Sequence, residues 1–331
     1  MPMIFDISNE QDFEKACLET FRHQYQHVAV YQKFVDYLNI NPEEVKTVDA
    51  IPFLPIEMFK NHTVLEEGKS ALLYFQSSGT TQSLLSKHWI ADELLYQKSI
   101  FKSFERFIGK PKEFVFLGLL PNYLERQNSS LVYMVDYLMK QSAQPENGYF
   151  LYNHLELFQV LERLKTQQKP TILFGVSFAL LDFIDTLKAN GLVMPEFPEL
   201  RIIETGGMKG RKEEMTKDEL LKILKTELKT PQVFSEYSMT ELLSQAYSLG
   251  ENIYQTPSWM RILIRHIEDP LSYVAHGRTG AINIIDLANR HSCSFIATQD
   301  LGKTQPQNPL TFEVLGRIDH SDIRGCSLLV S

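Results

Sequence analysis

Short apolar runs alternate with helical patterns between residues 71 and 240, and this alternation restricts the fold more than any other feature. The run TILFGV (171–176) is typical of a buried strand, and the helical pattern FALLDFIDTLKAN (178–190) follows it up to Gly191, which would end a helix. The predicted strands are 71–75, 113–120, 171–176, 201–207 and 232–237, and the predicted helices are 9–39, 91–107, 130–140, 178–190 and 212–229. This order predicts an α/β fold with a mostly parallel sheet covered on both faces.

The sequence pattern changes after Glu241. Four strand-like runs follow without a long helix between them: MRILIRHIE, TGAINIID, SFIATQD and TFEVLGR. We therefore predict two parts, an α/β core over residues 1–240 and a β-rich subdomain over residues 241–331. The second part is expected to form a small barrel or distorted sheet that packs on the first.

Composition and charge exclude several classes of protein. The chain has 331 residues, and its net charge of -8 disfavours nucleic acid or an anionic membrane as the main partner. The N-terminal segment MPMIFDISNEQDFEK is unlike a signal peptide, and no apolar stretch approaches the ~20 residues of a membrane helix. We therefore predict a cytoplasmic protein with no membrane span. Three cysteines are too few for a disulfide framework, and none lies in a metal-type CxxC pair.

The segment YFQSSGTTQS places small residues directly after a predicted strand. Gly79 permits close approach of the backbone to a ligand, and hydroxyl side chains surround it at Ser77, Ser78, Thr80 and Thr81. Such a loop can bind phosphate oxygens with neutral donors, although the GxxxxGK[ST] spacing of a P-loop is absent. Taken alone, the segment is explained equally well as an ordinary polar turn.

Three further segments carry groups that could bind a nucleotide. In SEYSMTE (235–241) an aromatic ring could stack on a base and a carboxylate could hold Mg²⁺, although Ser238 or Thr240 could equally cap a helix. In TQD (298–300) an acid at a strand end could accept hydrogen bonds from a ribose diol. In GRID (316–319) a guanidinium could bind a phosphate. The last two are weak signals alone, because such turns are common.

The order of these motifs resembles the adenylate-forming (ANL) superfamily of acyl- and aryl-CoA ligases over residues 51 to 319. The resemblance implies an ANL-type large N-terminal domain, with ATP and Mg²⁺ as cofactors. It assigns the triphosphate to Ser77, Ser78, Gly79, Thr80 and Thr81, and further nucleotide contacts to Gly206, Gly207, Glu236, Tyr237, Ser238, Asp300 and Arg317. Of these, Asp300 would bind the ribose. Thr240 and Glu241 are implied to be catalytic, with Glu241 as the Mg²⁺ ligand.

The sequence departs from the superfamily pattern in two places. Gln82 stands where the phosphate loop usually has glycine, and the next lysine is Lys87, so contact between a lysine and phosphate stays open. The chain ends twelve residues after Asp319. We therefore expect it to lack the usual mobile C-terminal domain and the catalytic lysine of that domain.

A narrower resemblance covers the whole chain. The segments IPFLPIEMFK, SSGTT, PNYLERQNSSLVYM and RGCSL resemble the LuxE-type acyl-protein synthetases. This implies activation of a carboxylic acid, expected to be a fatty acid, as an acyl-adenylate. It also implies transfer of the acyl group to Cys326 as a thioester, and delivery to a partner such as a reductase or a carrier protein.

Several alternatives stay open from the sequence. The acyl group could instead pass to CoA, to a carrier protein or to an amine, with Cys326 purely structural. The chain could also be a non-catalytic nucleotide-binding subunit. Residues 175–183 and 116–130 could line the acid pocket, with Tyr123 and Arg126 at its mouth, although a plain hydrophobic core explains the same residues.

Overall fold

The computed structural model describes residues 4–71, 73–77, 85–121, 127–206 and 215–318. Its helices are α1 (Glu10–His27), α2 (Ala29–Tyr37), α3 (Met58–Asn61), α4 (Glu93–Phe107), α5 (Ser130–Ser142), α6 (His154–Thr166), α7 (Ser177–Ala189) and α8 (Lys217–Glu227). Its strands are β1 (Leu54–Pro55), β2 (Leu73–Gln76), β3 (Lys87–Ile90), β4 (Val115–Leu119), β5 (Gly148–Tyr149), β6 (Thr171–Val176), β7 (Leu200–Thr205), β8 (Val233–Tyr237), β9 (Ala246–Ser248), β10 (Tyr254–Gln255), β11 (Met260–Arg265), β12 (Gly280–Asp286), β13 (Phe295–Gln305) and β14 (Asn308–Arg317).

A large mixed sheet organises the described residues. Its strand order is β11-β12-β13-β14-β10-β9-β8-β7-β6-β4-β5, and β1 pairs in parallel with β13. Strands β4 to β8 pair in parallel, whereas β8 to β14 pair with their neighbours in antiparallel fashion. Strands β2 and β3 form a separate antiparallel hairpin. The predicted α/β fold with its helix-covered sheet is confirmed.

The parallel strands follow from their apolar runs. Every residue of β4 and of β6 is buried, as expected for strands that are covered on both faces. The parallel arrangement brings the carboxyl ends of β4, β6, β7 and β8 to one edge of the sheet, where side chains from distant segments can meet.

Local capping sets where the helices begin and end. The Asp92 side chain accepts a hydrogen bond from the N–H of Leu95 at 2.9 Å and starts α4. Thr216 and Glu219 form a capping box that starts α8 at Lys217, later than the predicted start at residue 212; residues 212–214 lie outside the described residues. Gly191, with φ of +64°, follows the end of α7 as predicted.

Two predictions about helices were wrong or incomplete. The helical segment predicted over 9–39 is divided into two helices, because Val28 adopts an extended backbone (φ −115°, ψ 95°) and the chain turns there. Helix α6 was not predicted, although its sequence carries a helical signal. Leu157, Leu161 and Leu164 recur at helical spacing and are fully buried.

The change from parallel to antiparallel pairing falls between β8 and β9, and hydrogen bonds run through the sheet across this change without interruption. The described residues from 241 to 318 contain β9 to β14 and no helix, in agreement with the predicted β-rich texture. In the described part of the chain, no helix combines the length and apolar character that a membrane crossing needs.

Candidate functional site

Three of the predicted site residues meet in one cluster, formed by Tyr237, Asp300 and Arg317. The Tyr237 hydroxyl donates a hydrogen bond to Asp300 Oδ2 at 2.8 Å, and Arg317 Nε lies 3.3 Å from Asp300 Oδ1. Strand register accounts for the second contact, because Asp300 on β13 is directly opposite Arg317 on β14. Burial, together with the Asp300 carboxylate, holds the pKa of Tyr237 well above its usual value, so this hydroxyl is a donor at neutral pH.

The cluster has a buried side and an open side. The Tyr237 ring packs edge-on against Tyr254 and Phe312, at centroid distances of 5.9 and 5.6 Å. The Arg317 side chain, in contrast, is 85% exposed, whereas that of Asp300 is 14% exposed. Aromatic packing therefore holds the Tyr237 ring, and the Tyr237 hydroxyl bonds the Asp300 carboxylate. On its other side this carboxylate contacts the accessible Arg317 guanidinium.

Glu241 lies in the segment that follows β8 and is only 4% exposed. Burial raises the pKa of its carboxyl, and the neighbouring Ser86 side chain opposes this shift. Arg317 and Lys60 lower the pKa at longer range, yet within the described residues no cation forms an ion pair with Glu241. The next residue back, Thr240, uses its main-chain carbonyl to contact His88 Nδ1 at 2.9 Å.

Ser77 closes the base of the hydroxyl-rich loop. Its N–H donates to the Ser86 carbonyl at 3.1 Å, and its Oγ accepts from the Ser86 N–H at 3.0 Å. The other loop residues with a predicted role, Ser78, Gly79, Thr80 and Thr81, lie outside the described residues. Lys87 is exposed, and its Nζ lies 5.6 Å from the centroid of the Tyr74 ring.

The residues that end β7 and β8 are divided between the two faces of the sheet. Glu236 is opposite Tyr247 in the register of β9, and its Oε2 accepts a 2.5 Å hydrogen bond from the Thr205 hydroxyl. Successive residues of a strand point to opposite faces, so its side chain lies on the other face from Tyr237. The structure therefore does not bring the Glu236 carboxylate into the cluster.

Two more residues with a predicted role, Ser238 and Gly206, follow the ends of β8 and β7. Burial raises the pKa of the Glu236 carboxyl, and the neighbouring Ser238 side chain opposes this shift. Gly206 ends β7 with φ of +73°, a conformation that favours glycine. Gly207, Tyr123, Arg126 and Cys326 lie outside the described residues.

A second buried carboxylate at this edge, that of Glu204 near the end of β7, was not predicted from the sequence. Its side chain is fully buried, and it accepts hydrogen bonds from the Ser177 hydroxyl and, at 2.7 Å, from Lys217 Nζ. Burial alone would lower the pKa of Lys217, but Glu204 and Tyr254 outweigh it and raise that pKa. An acid inside the apolar run RIIET was the available signal, because a buried acid needs a partner.

The donors around Glu241 fit Mg²⁺. In the described part of the chain, no group of three or more His, Cys, Asp or Glu side chains could hold a metal ion by itself. Mg²⁺ is commonly bound by one or two carboxylates together with substrate phosphates, and it prefers hard oxygen ligands. The buried Glu241 carboxylate lacks an ion-pair partner among the described residues and has the Ser86 hydroxyl beside it, so it matches this mode.

Comparison with known families finds one match that covers nearly the whole chain. A family model described as acyl-protein synthetase, LuxE, matches residues 2–331. A search of curated proteins finds no match.

Several solved structures have a similar fold. The chain is similar to 2-hydroxyisobutyryl-CoA ligase in the postadenylation state in complex with 2-HIB-AMP, with a TM-score of 0.67 and 13% identity, covering 95% of this chain and 70% of that one. It is also similar to ATP-bound MatB from Rhodopseudomonas palustris (TM-score 0.54, 13% identity, 74% of this chain and 47% of that one). A third similar structure is the amide bond synthetase McbA from Marinactinospora thermotolerans (TM-score 0.52, 11% identity, 73% and 48%). At these identities the likeness shows the fold, which is that of the adenylate-forming ligases.

Proposed function

Because the chain belongs to the LuxE family of acyl-protein synthetases, we propose that it activates a carboxylic acid with ATP and then carries the acyl group on its own Cys326. The observation that best supports this proposal is the meeting of Tyr237, Asp300 and Arg317 from three segments of the chain. Glu241, four residues beyond Tyr237, adds a buried carboxylate.

The cluster is suited to a ribose and a phosphate. Each carboxylate oxygen has two lone pairs, so Asp300 can accept from ribose hydroxyls while it also accepts from Tyr237 and Arg317. The exposed Arg317 guanidinium can contact a phosphate oxygen without leaving Asp300 entirely. We assign the triphosphate to the loop from Ser77 to Thr81, whose base is closed by the Ser77–Ser86 pairing.

The first half-reaction needs little acid–base chemistry. A carboxylate oxygen of the acid attacks the α-phosphorus of ATP, the bond from that phosphorus to the bridging oxygen breaks, and pyrophosphate leaves with the bonding electrons. Positioning and neutralisation of phosphate charge therefore dominate the catalysis. Glu241 would hold Mg²⁺, which when bound stabilises charge on the phosphate oxygens.

The second half-reaction transfers the acyl group to sulfur. The Cys326 thiolate attacks the carbonyl carbon of the acyl-adenylate, a thioester forms, and AMP leaves. The other two cysteines are poor candidates, because burial raises the pKa of both Cys17 and Cys293 to about 12 and both side chains are fully buried. The thioester would then pass to a reductase or a carrier protein, and the acid would be a fatty acid.

A second candidate differs only in the acceptor. Ligases of this fold include one solved with CoA and one described as an amide bond synthetase, so the fold is compatible with acceptors other than a cysteine of the chain. In that case the acyl group would leave the acyl-adenylate directly for CoA, a carrier protein or an amine.

Two measurements test the proposal. Acid-dependent exchange of pyrophosphate into ATP, across a panel of fatty and short-chain acids, reports the first half-reaction. Intact mass after incubation with ATP and the active acid reports the second half-reaction. We expect wild type and the matched control Cys17→Ala to gain one acyl mass, and Cys326→Ala to gain none while it keeps the exchange.

The outcomes separate the candidates. Exchange without an adduct on wild type would favour an external acceptor. An adduct that persists in Cys326→Ala would show that another residue carries the acyl group. Tight ATP binding with no exchange for any acid would favour a non-catalytic nucleotide-binding subunit instead.

A further inference from the structure

The turn from Thr240 to Ser244, which we call the 240–244 turn, is buried although it belongs to no helix or strand. Glu241, Leu242 and Ser244 are 4%, 1% and 0% exposed. Backbone N–H and C=O groups that are buried outside regular structure need partners, because an unpaired group loses its hydrogen bonds with water. In this turn, side chains from other segments supply several of those partners.

Asp286, the last residue of β12, holds the second half of the turn. Its Oδ2 accepts hydrogen bonds from the N–H groups of Leu243 at 2.8 Å and Ser244 at 2.9 Å. Its Oδ1 accepts from the Ser244 hydroxyl at 2.6 Å. This half of the turn is thereby tied to the antiparallel part of the sheet.

Asn289 and His88 hold the first half, which contains Glu241. Asn289 Nδ2 donates to the Glu241 carbonyl at 2.7 Å, and His88 Nδ1 lies 2.9 Å from the Thr240 carbonyl. The two side chains also contact each other, with 3.0 Å between His88 Nε2 and Asn289 Oδ1. Both are 1% exposed. The main chain on both sides of the Glu241 α-carbon is thus held by side-chain contacts.

The start of β3 connects this turn to Ser77, which begins the hydroxyl-rich loop. His88 lies on β3, Ser86 immediately precedes that strand, and both residues are buried. Ser86 pairs with Ser77 at the base of the loop, and its side chain lies close enough to the Glu241 carboxyl to lower the pKa of that carboxyl. One short segment is therefore next to both the carboxylate of Glu241 and the main chain that carries it.

We propose that Asn289 and His88 are positioning residues that hold the main chain of Thr240 and Glu241, and so fix the direction in which the Glu241 carboxylate meets Mg²⁺ and ATP. Neither residue contacts the nucleotide in this proposal. The inference rests on the proposed function, because it assumes that Glu241 serves Mg²⁺-ATP. Partners that orient a metal-binding side chain typically change metal affinity or activity by about 10–100-fold when removed.

The experiment compares Asn289→Ala with wild type. The ATP dissociation constant is measured by calorimetry in Mg²⁺ and again in EDTA, and hydrogen–deuterium exchange is measured for the peptide that covers the turn. We expect ATP binding to weaken about 10-fold in Mg²⁺ and to stay unchanged in EDTA, with faster amide exchange in the turn. His88→Phe, which keeps a ring against Phe59, is expected to act in the same direction.

Asn283→Ala is the matched control. Asn283 is also 1% exposed and lies on β12, where its Oδ1 accepts from Arg265 at 2.9 Å rather than holding the turn. The control should lose stability while its Mg²⁺-dependent ATP affinity stays that of wild type. An equal loss of that affinity in the control would assign the effect to general destabilisation and overturn the proposal.

Two further outcomes also overturn it. One is wild-type ATP affinity in Mg²⁺ for both Asn289→Ala and His88→Phe. The other is failure of both variants to fold, which would assign the two residues to the core alone. A wild-type protein that neither binds ATP nor exchanges pyrophosphate would instead contradict the proposed function, so the two failures are distinguishable.

Discussion

Two buried carboxylates near the carboxyl ends of neighbouring strands, those of Glu204 and Glu241, have opposite surroundings. Glu204 on β7 is fully paired, with Lys217 on one oxygen and the Ser177 hydroxyl on the other. Glu241, after β8, has a hydroxyl neighbour and no ion-pair partner in the described part of the chain. A carboxylate with its charge matched inside the protein contributes to the fold. One that is buried without a matching charge is able to receive a cation from outside.

Removal of the lysine from the paired site tests the first half of this contrast and should have the largest effect. Lys217→Met leaves the buried Glu204 carboxylate without an opposite charge, and we expect a loss of about 3–5 kcal/mol in the free energy of unfolding. Urea denaturation followed by circular dichroism measures it. The double variant Lys217→Met/Glu204→Gln should recover part of the loss, and no recovery would mean that the pair is not the cause.

Replacement of the Glu241 carboxylate should lower activity without lowering stability, the reverse of the expectation for the Glu204–Lys217 pair. Glu241→Gln is expected to lower acid-dependent pyrophosphate exchange by about 100-fold, or about 2.7 kcal/mol of transition-state stabilisation, while it raises stability slightly. Burial raises the folded-state pKa of Glu241 above the ordinary value of a glutamate carboxyl. Its contribution is therefore most favourable at low pH and is lost as the pH rises through the folded-state pKa.

The pH dependence provides the measurement and the control. Thermal melts of wild type and Glu241→Gln at pH 4.5 and pH 8 should show the variant gaining relative stability at the higher pH. Glu241→Asp keeps the charge and should keep the same pH trend as wild type. A stability difference that did not change with pH would contradict a raised pKa for this carboxyl.

The sequence predicts features that depend on a local pattern better than features that depend on contacts between distant segments. Strand β6 was predicted to the residue, because a continuous apolar run in a parallel sheet is a local signal. Tyr237, Asp300 and Arg317 were predicted because the order of the motifs that contain them resembles a known superfamily. The structure shows that the three side chains are in contact. Periodicity alone would not have joined them, because 63 residues separate Tyr237 from Asp300.

The side chains that hold the 240–244 turn, His88 and Asn289, could not be predicted from the sequence. His88 and Asn289 are separated by 201 residues, and each lies in an ordinary-looking segment. Their roles depend on which buried backbone groups of an irregular turn need partners, and a sequence pattern does not reveal this. Glu204 was closer to being predictable, because an acid within an apolar run already implies a buried partner.

The smallest effect expected is at the hydroxyl that joins the cluster. Tyr237→Phe removes the 2.8 Å hydrogen bond to Asp300 and keeps the ring packing against Tyr254 and Phe312. A hydrogen bond to a charged group contributes about 1.5–3 kcal/mol. Because the Tyr237 hydroxyl acts on ATP only through Asp300, we expect the lower end of this range, which weakens ATP binding measured by calorimetry about 10-fold. Tyr247→Phe is the matched control, since its buried hydroxyl has no hydrogen-bond partner among the described residues. That variant should bind ATP as wild type does and lose no stability, whereas equal effects of the two substitutions would remove Tyr237 from the site.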